Sequence, residues 1–508
     1  FYLYISMSQG NTNTANVYID LATFSELEGF MYGGPEAITH FVSAVQKSNW
    51  FSFIPIALRS NSNDIRFGHR NVQTVINRSP DYVLSVWARF RLPQLILVSP
   101  TAGPVGGLRQ DAGIRWCDNV GHNVFEYITL MANELPVQEY YSEFLDIHAH
   151  YRISQNRIVA YNSMIGNTAE RKTFATYGAG PHTAAGGGFL ARNALGAPGG
   201  NVINVPIPLF FSEDSGVALP VAMAPLNEFK VSVHLRDWKD LVIIFPGTDA
   251  VVGDTDATTA HVKDASSYQT PELSEFTIHA HAVVVHQDER IKMGDAPRDM
   301  LIRQQQHTKT SVTHRLTGST QKHDVYWSHA VISMYFMYKN VTRRGDQSNY
   351  TTAFGKPVPS GAHTAALGYD PIAFTSLQYE SQKRVDHPSD YTSLVHPFHF
   401  NGECGPTVTG YHQYSYALQP WNHNTATGST NYSKIANASF HHSASLAMEQ
   451  ATDPVNPRGL SASGTTVAMT WPAAGAAAID PQRFEAVHIA VNWNIVRFAN
   501  SSISFPTF

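Results

Sequence analysis

The sequence predicts an all-β protein built as two tandem antiparallel β-sandwiches, with a few short helices and long loops. Three observations carry this. Charged residues make up only 15% of the 508-residue chain, while Gly (35), Pro (28), Phe (27) and Tyr (23) are plentiful, a composition suited to strands and turns. Apolar residues recur at every second position in many short runs bounded by Pro, Gly and Asn. Residues 228–235 near the middle and 484–498 near the end are alternating runs of similar character, so each half of the chain closes on a strand of the same texture. Two domains also suit this length. The reading places an arm at 1–35, a first domain at 36–244 and a second at 245–508.

Taken in order, residues 11–16 are polar and loose. Leu21, Phe24, Leu27 and Phe30 then recur at helical spacing, Thr23 and Glu26 can form a capping box, and Gly33-Gly34-Pro35 stops the helix. This helix reads equally as one packed beneath the first domain or as a foot that contacts a membrane or minor proteins. Between Pro80 and Pro93, the residues Tyr82, Leu84, Val86, Ala88, Phe90 and Leu92 alternate against Asp81, Ser85, Arg89 and Arg91 as a strand. Residues 123–131 form another strand after an Asp118-Asn119 turn. Tyr141, Phe144, Leu145 and His148 share one helical face within 139–150, which predicts a helix inserted in a strand connection; 161–166 end that region. Residues 177–200 are too rich in Gly and Ala for the interior of an element and read as a long surface loop, as do 249–268, 343–368 and 451–480.

The run 204–235, NVPIPLFFSEDSGVALPVAMAPLNEFKVSVHL, organises the first half. Pro206 and Pro208 allow an extended edge and forbid a helix or a central strand. Ser212 to Gly216 form an acidic turn in which Gly216 is free to take a positive φ, and Glu213 and Asp214 sit at a solvated corner. Phe229, Val231, Val233 and Leu235 then face one way and Lys230, Ser232 and His234 the other. In the second half, 276–285 alternates and opens the domain. Strands follow at 326–338, 411–418 and 432–440.

The formal charge is −5, and 1–46 contain no Lys or Arg, so the chain lacks the basic arm that neutralises a packaged genome and is not expected to bind nucleic acid directly. Cys117 and Cys404 are too few for a disulfide framework and read as reduced thiols. No run reaches the roughly 20 apolar residues of a membrane helix. FYLYIS lacks a positive n-region, and Met7 reads as a natural start with Phe1 to Ser6 upstream of it. Six sequons, at Asn77, Asn340, Asn349, Asn431, Asn437 and Asn500, are expected to stay unmodified along a cytoplasmic route.

Histidine is the best lead to an enzyme. His279 and His281 are two apart on a strand and share a face, the start of a cupin-like metal set. The carboxylate such a set needs is missing, because Val285 and His286 stand where it belongs and the first carboxylate is Asp288. His148 and His150 fall on the predicted helix and do not share a face. No nucleophile elbow, HExxH, CxxC or phosphate loop is present. No residue is therefore assigned a catalytic, cofactor-binding or metal role, and neither a cofactor nor a small-molecule substrate is expected.

The wording of several runs carries more. NVPIPLFFSEDSGVALP with the NEFKV strand after it, VYIDLATFSELEGFMYGG, SMIGNT and GSTNY together resemble the major capsid proteins of large icosahedral DNA viruses, most closely those of iridoviruses, from about Val17 to Pro506. The resemblance implies a jelly roll in each half, that is, a double jelly roll. It implies a homotrimer whose six sandwiches make a pseudo-hexagonal tile of an icosahedral outer shell over an internal membrane. Neighbouring tiles, minor or cement proteins and penton proteins are the implied partners, and the virion, assembled in the host cytoplasm at viral factories, is the implied location. The matched positions Asp214, Ser215, Gly216, Leu219 and Pro220, and Gly428, Ser429, Thr430, Asn431 and Tyr432, are given architectural roles. A metal-binding bicupin using His279 and His281, and a carbohydrate-binding β-sandwich, are the alternatives.

Overall fold

The computed structural model describes residues 18–19, 22–35, 37–42, 47–62, 65–97, 113–168, 175–176, 202–245, 262–264, 269–295, 297–312, 320–353, 368–402, 405–406, 408–453, 458–460, 466–468, 481–499 and 501–505. The expected loop at 177–200, much of those at 249–268, 343–368 and 451–480, the segments 1–6 and 11–16, Cys404 and the Asn500 sequon lie outside the described residues. The chain divides into two compact units, Phe1–Trp50 and Phe51–Phe508.

In the smaller unit, helix α1 (Glu26–Met31) is one and a half turns long and buries no side chain. Its capping box is formed by Ser25 and Glu28, not by Thr23 and Glu26: the Ser25 amide donates to Glu28 at 3.1 Å. The box moves two residues because the helix begins later than the apolar spacing implies, leaving Phe24 ahead of it.

Among the described residues, the larger unit holds two sandwiches of eight principal strands each. In the first, one sheet has the order β1 (Phe51–Ala57), β8 (Ser274–Val285), β3 (Tyr82–Arg91), β6 (Val202–Ile207). The facing sheet has the order β2 (Val72–Val75), β7 (Phe229–Leu235), β4 (Phe125–Ala132), β5 (Leu135–Tyr141). In the second sandwich, one sheet runs β9 (Arg298–Val312), β16 (Phe484–Ala499), β11 (Ala330–Asn340), β14 (His412–Ser415). The other runs β10 (Thr320–Val325), β15 (Ala438–Ala444), β12 (Ile372–Tyr379), β13 (Gln382–Pro388). Adding eight to each strand number of the first sandwich reproduces the second. First and last strands pair in both, β1 with β8 and β9 with β16, and these pairings are antiparallel. That is the jelly-roll order, written twice.

This topology corrects two expectations. The strand at 276–285, expected to open the second half, is an inner strand of the first sandwich, bonded to β1 and β3. The echo between 228–235 and 484–498 is one of texture only, since β7 corresponds to β15 and β16 to β8. Alternation reports that a strand is half buried and carries nothing about its place in a sheet. The expected parity of 82–92 also breaks: between β3 and β8 the register slips, His281 facing Ser85 and Ala282 facing Val83. The bulge turns Val83, Val86, Ala88 and Phe90 inward and leaves Tyr82 and Leu84 on the other face, against Val283, Val285 and Met293.

Proline places β6 as expected: Pro206 lies opposite Trp87 in a strand at the end of its sheet. The expected helix within 139–150 begins later, because β5 runs to Tyr141 and α3 spans Ser142–Tyr151. A second helix, α4 (Gln155–Ile165), was not foreseen; Gly166 ends it at φ 79°. The expected strand at 123–131 starts at Phe125, preceded by one helical turn, α2 (Val120–Asn123). Residues 432–434 form a 3-10 turn, so the strand expected there begins only at Ala438.

Candidate functional site

The part of the chain with the most buried chemistry is the junction between the sandwiches. Edge strands β5 and β9 meet there. An unpaired sheet edge presents carbonyls that need donors, and glutamines supply them: Gln304 Nε2 donates to the Val137 carbonyl at 2.8 Å and Gln305 Nε2 to the Glu139 carbonyl at 3.0 Å. In return Gln138 Nε2 donates to the Arg303 carbonyl at 3.0 Å. The strands behind this edge are buried on both faces. Ile332, Tyr335 and Met337 of β11, with Val487, Ile489 and Val491 of β16, join the first sandwich's core, while Met334, Phe336, Tyr338, Ala486 and Ala490 line the second sandwich's own core. One continuous apolar cluster therefore spans both halves.

Charges are sealed into this junction. Glu143 on α3 is fully buried and accepts from Lys339 Nζ at 2.8 Å and Lys309 Nζ at 2.9 Å. Burial opposes its ionisation, but Lys339, Lys309, His307 and Arg236 outweigh burial and hold the carboxyl well below its ordinary range. Lys339 is shifted down, first by burial and against the pull of Glu143. The two partners differ because one carboxylate serves two ammonium groups. Asp146, three residues along α3, accepts hydrogen bonds from four sides: His122 Nδ1 at 2.6 Å, Asn119 Nδ2 at 3.0 Å, and from the second half of the chain Ser348 Oγ and Tyr350 OH, each at 2.8 Å.

The acidic turn belongs to the same lock. Glu213 is not at a solvated corner: its side chain is 13% exposed and pairs with the buried Arg303 at 3.0 Å. Pro208 and the 3-10 turn at Phe210–Ser212 aim it inward. Arg303 also donates to the Trp421 carbonyl and stacks over Trp493 at 4.8 Å. Gly216 has no positive φ; it lies in a 3-10 turn, Ser215–Val217. Leu219 and Pro220 pair with Val83 and Tyr82. In the GSTNY run, Gly428 takes φ 146°, where an added Cβ would meet the Tyr416 carbonyl at 2.4 Å. Thr430 and Asn431 pair with β11, and Tyr432 is buried among Tyr379, Tyr416 and Met334.

His279 and His281 do share a face, as expected from their spacing, and it points away from the core. Both rings pack on Trp87, at 5.2 and 4.5 Å, and their polar partners are Thr277 at 2.9 Å and Ser85 at 2.8 Å. Among the described residues, no group of three or more His, Cys, Asp or Glu is placed to hold a metal ion. His281 lines a 710 Å³ cleft with Trp87, His148, Arg152, Arg157 and Glu213. Ser85 and His281 have the separation of a nucleophile and its base, but no carboxylate hydrogen-bonds His281 among the described residues to orient it. Glu213 is already committed to Arg303.

The surface carries apolar side chains in places where a free monomer gains nothing from them. On edge strand β1, Phe51, Phe53 and Ile54 are exposed. Leu394 and Phe398 stand one turn apart on the π-to-α turn ending in α5 (His396–Phe400), Phe398 at 76% exposure. Exposed apolar groups of this kind mark interaction surfaces.

Comparison with known proteins agrees with this architecture. Residues 289–504 match a family described as large eukaryotic DNA virus major capsid protein, and 39–277 match one described as major capsid protein N-terminus. The chain is 34% identical to the major capsid protein of Costelytra zealandica iridescent virus, over 98% of this chain and 100% of that one. It is 32% identical to that of Rana tigrina ranavirus, over 96% and 97%. Its fold is similar to PBCV-1 VP54 (TM-score 0.65, 18% identity, 92% of this chain and 100% of that one) and to the Faustovirus major capsid protein (TM-score 0.64, 10% identity, 91% and 93%).

Proposed function

The chain belongs to the major capsid proteins of large eukaryotic DNA viruses, and from that membership we propose that it works as a homotrimeric tile of an icosahedral outer shell. It is a double jelly-roll structural protein of the virion capsid, not an enzyme. Three copies of a two-sandwich chain present six similar units around one axis, which fits a hexagonal lattice. The observation that carries this reading is the repeated strand order, locked by Glu143, Lys309 and Lys339, because six-fold mimicry needs the two halves held at one fixed angle. Tile-to-tile contact then falls to exposed apolar groups such as Phe53 and Phe398.

The remaining assignments rest on the same reading. The shell lies over an internal membrane, consistent with an N-terminal stretch that has no Lys or Arg to meet a genome. Helix α1, with Leu27, Phe30 and Met31 exposed, is the foot toward that membrane or toward minor proteins. Penton and cement proteins complete the shell, and assembly takes place in the host cytoplasm. Electron microscopy of the purified, concentrated chain tests the tile. Pseudo-hexagonal particles that pack into hexagonal sheets are expected; particles with no three-fold or six-fold character overturn the proposal.

A further inference from the structure

The core of the second sandwich contains three histidines that pack on one another. His323 on β10, His442 on β15 and His488 on β16 have ring centroids 5.2 to 5.6 Å apart. His442 Nε2 and His488 Nε2 stand 3.0 Å apart, so one of the two carries a proton and the other does not. His442 Nδ1 meets Thr375 Oγ1 at 3.1 Å and His323 Nε2 meets Tyr338 OH at 3.0 Å. The Nδ1 atoms of His323 and His488 are buried with no hydrogen-bond partner among the described residues. Phe336 and Phe440 close the sides, with ring centroids 5.2 Å from His442 and 4.9 Å from His488.

The titratable groups that face this cluster are His307 from β9, Asp324 from β10, Tyr338 from β11, His412 from β14 and His441 from β15. Asp324 is half exposed and engaged by Lys322 at 2.8 Å, and His412 has its own carboxylate in Asp370 at 3.2 Å. The first sandwich has buried histidines of its own, but each lies near a carboxylate: His122 is 2.6 Å from Asp146, and His148 has Glu213 acting on it.

We propose that the His323–His442–His488 cluster is an acid-release device: proton uptake there opens the second sandwich while the first stays folded, so the tile loses its shape at mildly acidic pH. A first proton can be shared across the His442–His488 contact as a charged N–H···N bond. A second puts two imidazolium ions at hydrogen-bond distance in an apolar core, and the contact must break. Burial holds His323 at about 4 and keeps His442 and His488 well below the ordinary histidine value. An opened sandwich returns all three toward about 6.5. The open form therefore binds more protons, and its population rises as pH falls below that value, by up to about tenfold per pH unit for each histidine.

Hydrogen exchange of the purified full chain at pH 7.5 and 5.0, corrected for intrinsic rates, tests this. Protection in β10, β15 and β16 is expected to fall at pH 5.0 at least a hundredfold more than protection in β3 and β7; equal loss in both sandwiches, or no loss, overturns the proposal. The double variant His442→Leu with His488→Leu should retain protection at pH 5.0, and acid opening unchanged from the parent contradicts the assignment. Should that variant not fold, potentiometry of the parent chain decides: acid opening that takes up more than the two protons of His148 and His307 supports the device, and two or fewer overturns it.

Discussion

Glu143 Oε1 lies 2.8 Å from Lys339 Nζ, joining a helix of one sandwich to a central strand of the other with both side chains buried. Removing the carboxylate leaves two ammonium groups without their counter-ion in a dry junction. Glu143→Gln is expected to destabilise the chain by about 3–5 kcal/mol, read from the denaturant midpoint. Replacing Glu143 and Lys339 together by Met should cost less than Glu143→Gln alone, because only Lys309, the more exposed of the two ammonium groups, is then left without its counter-ion.

Gly428 is the second fixed point. At φ 146° it occupies backbone space that side-chain-bearing residues avoid, and its Cα faces the Tyr416 carbonyl. Gly428→Ala is expected to cost at least about 1–3 kcal/mol from backbone strain alone, visible as a lower thermal midpoint. Gly294→Ala, at a helical site with open space around it, should leave the midpoint nearly unchanged.

Acid should weaken the junction as well. Burial holds both His148 and His307 at about 4, below the value of about 6.5 that each regains on unfolding. Their contribution is complete above pH 6.5 and is lost as pH falls from 6.5 toward 4. Glu143 has the same sign, since a depressed carboxyl stabilises the fold above about 4.5 and loses that effect below it. The unfolding equilibrium measured from pH 7 to 5 is expected to favour the unfolded chain increasingly. His307→Gln should remove about one proton from the slope, a factor of about ten per pH unit.

Cys117 is buried, and burial pushes its thiol far above the ordinary range. A thiol reagent at pH 8 should leave Cys117 unlabelled in the native chain and label it on denaturation, with peptide mapping as the readout. Labelling at equal rates in both states would contradict the burial of Cys117, whose amide donates to the Leu241 carbonyl at the end of the segment around Trp116.

Much of the fold was legible because its signals are local. Pro206 announces an edge strand, and the alternation from Phe229 to Leu235 announces a sandwich face. What stayed hidden depends on pairing. The bulge opposite His281 reverses the parity of β3, and no residue type in 82–92 marks it. The place of β8 in the first sandwich is set by hydrogen bonds to strands about 190 and 225 positions earlier. Glu213 read as a surface acid because its partner, Arg303, is 90 residues away. Helix α4 did carry a local signal that went unread: Ser154 ahead of it, Ile158, Tyr161 and Ile165 on one face, and Gly166 at its end.

A trimer-forming tile has a defined mass in solution, which the purified protein should show. Light scattering on a sizing column is expected to give three times the 56.0 kDa chain mass. A folded species that stays at 56.0 kDa across the concentration range would contradict the account.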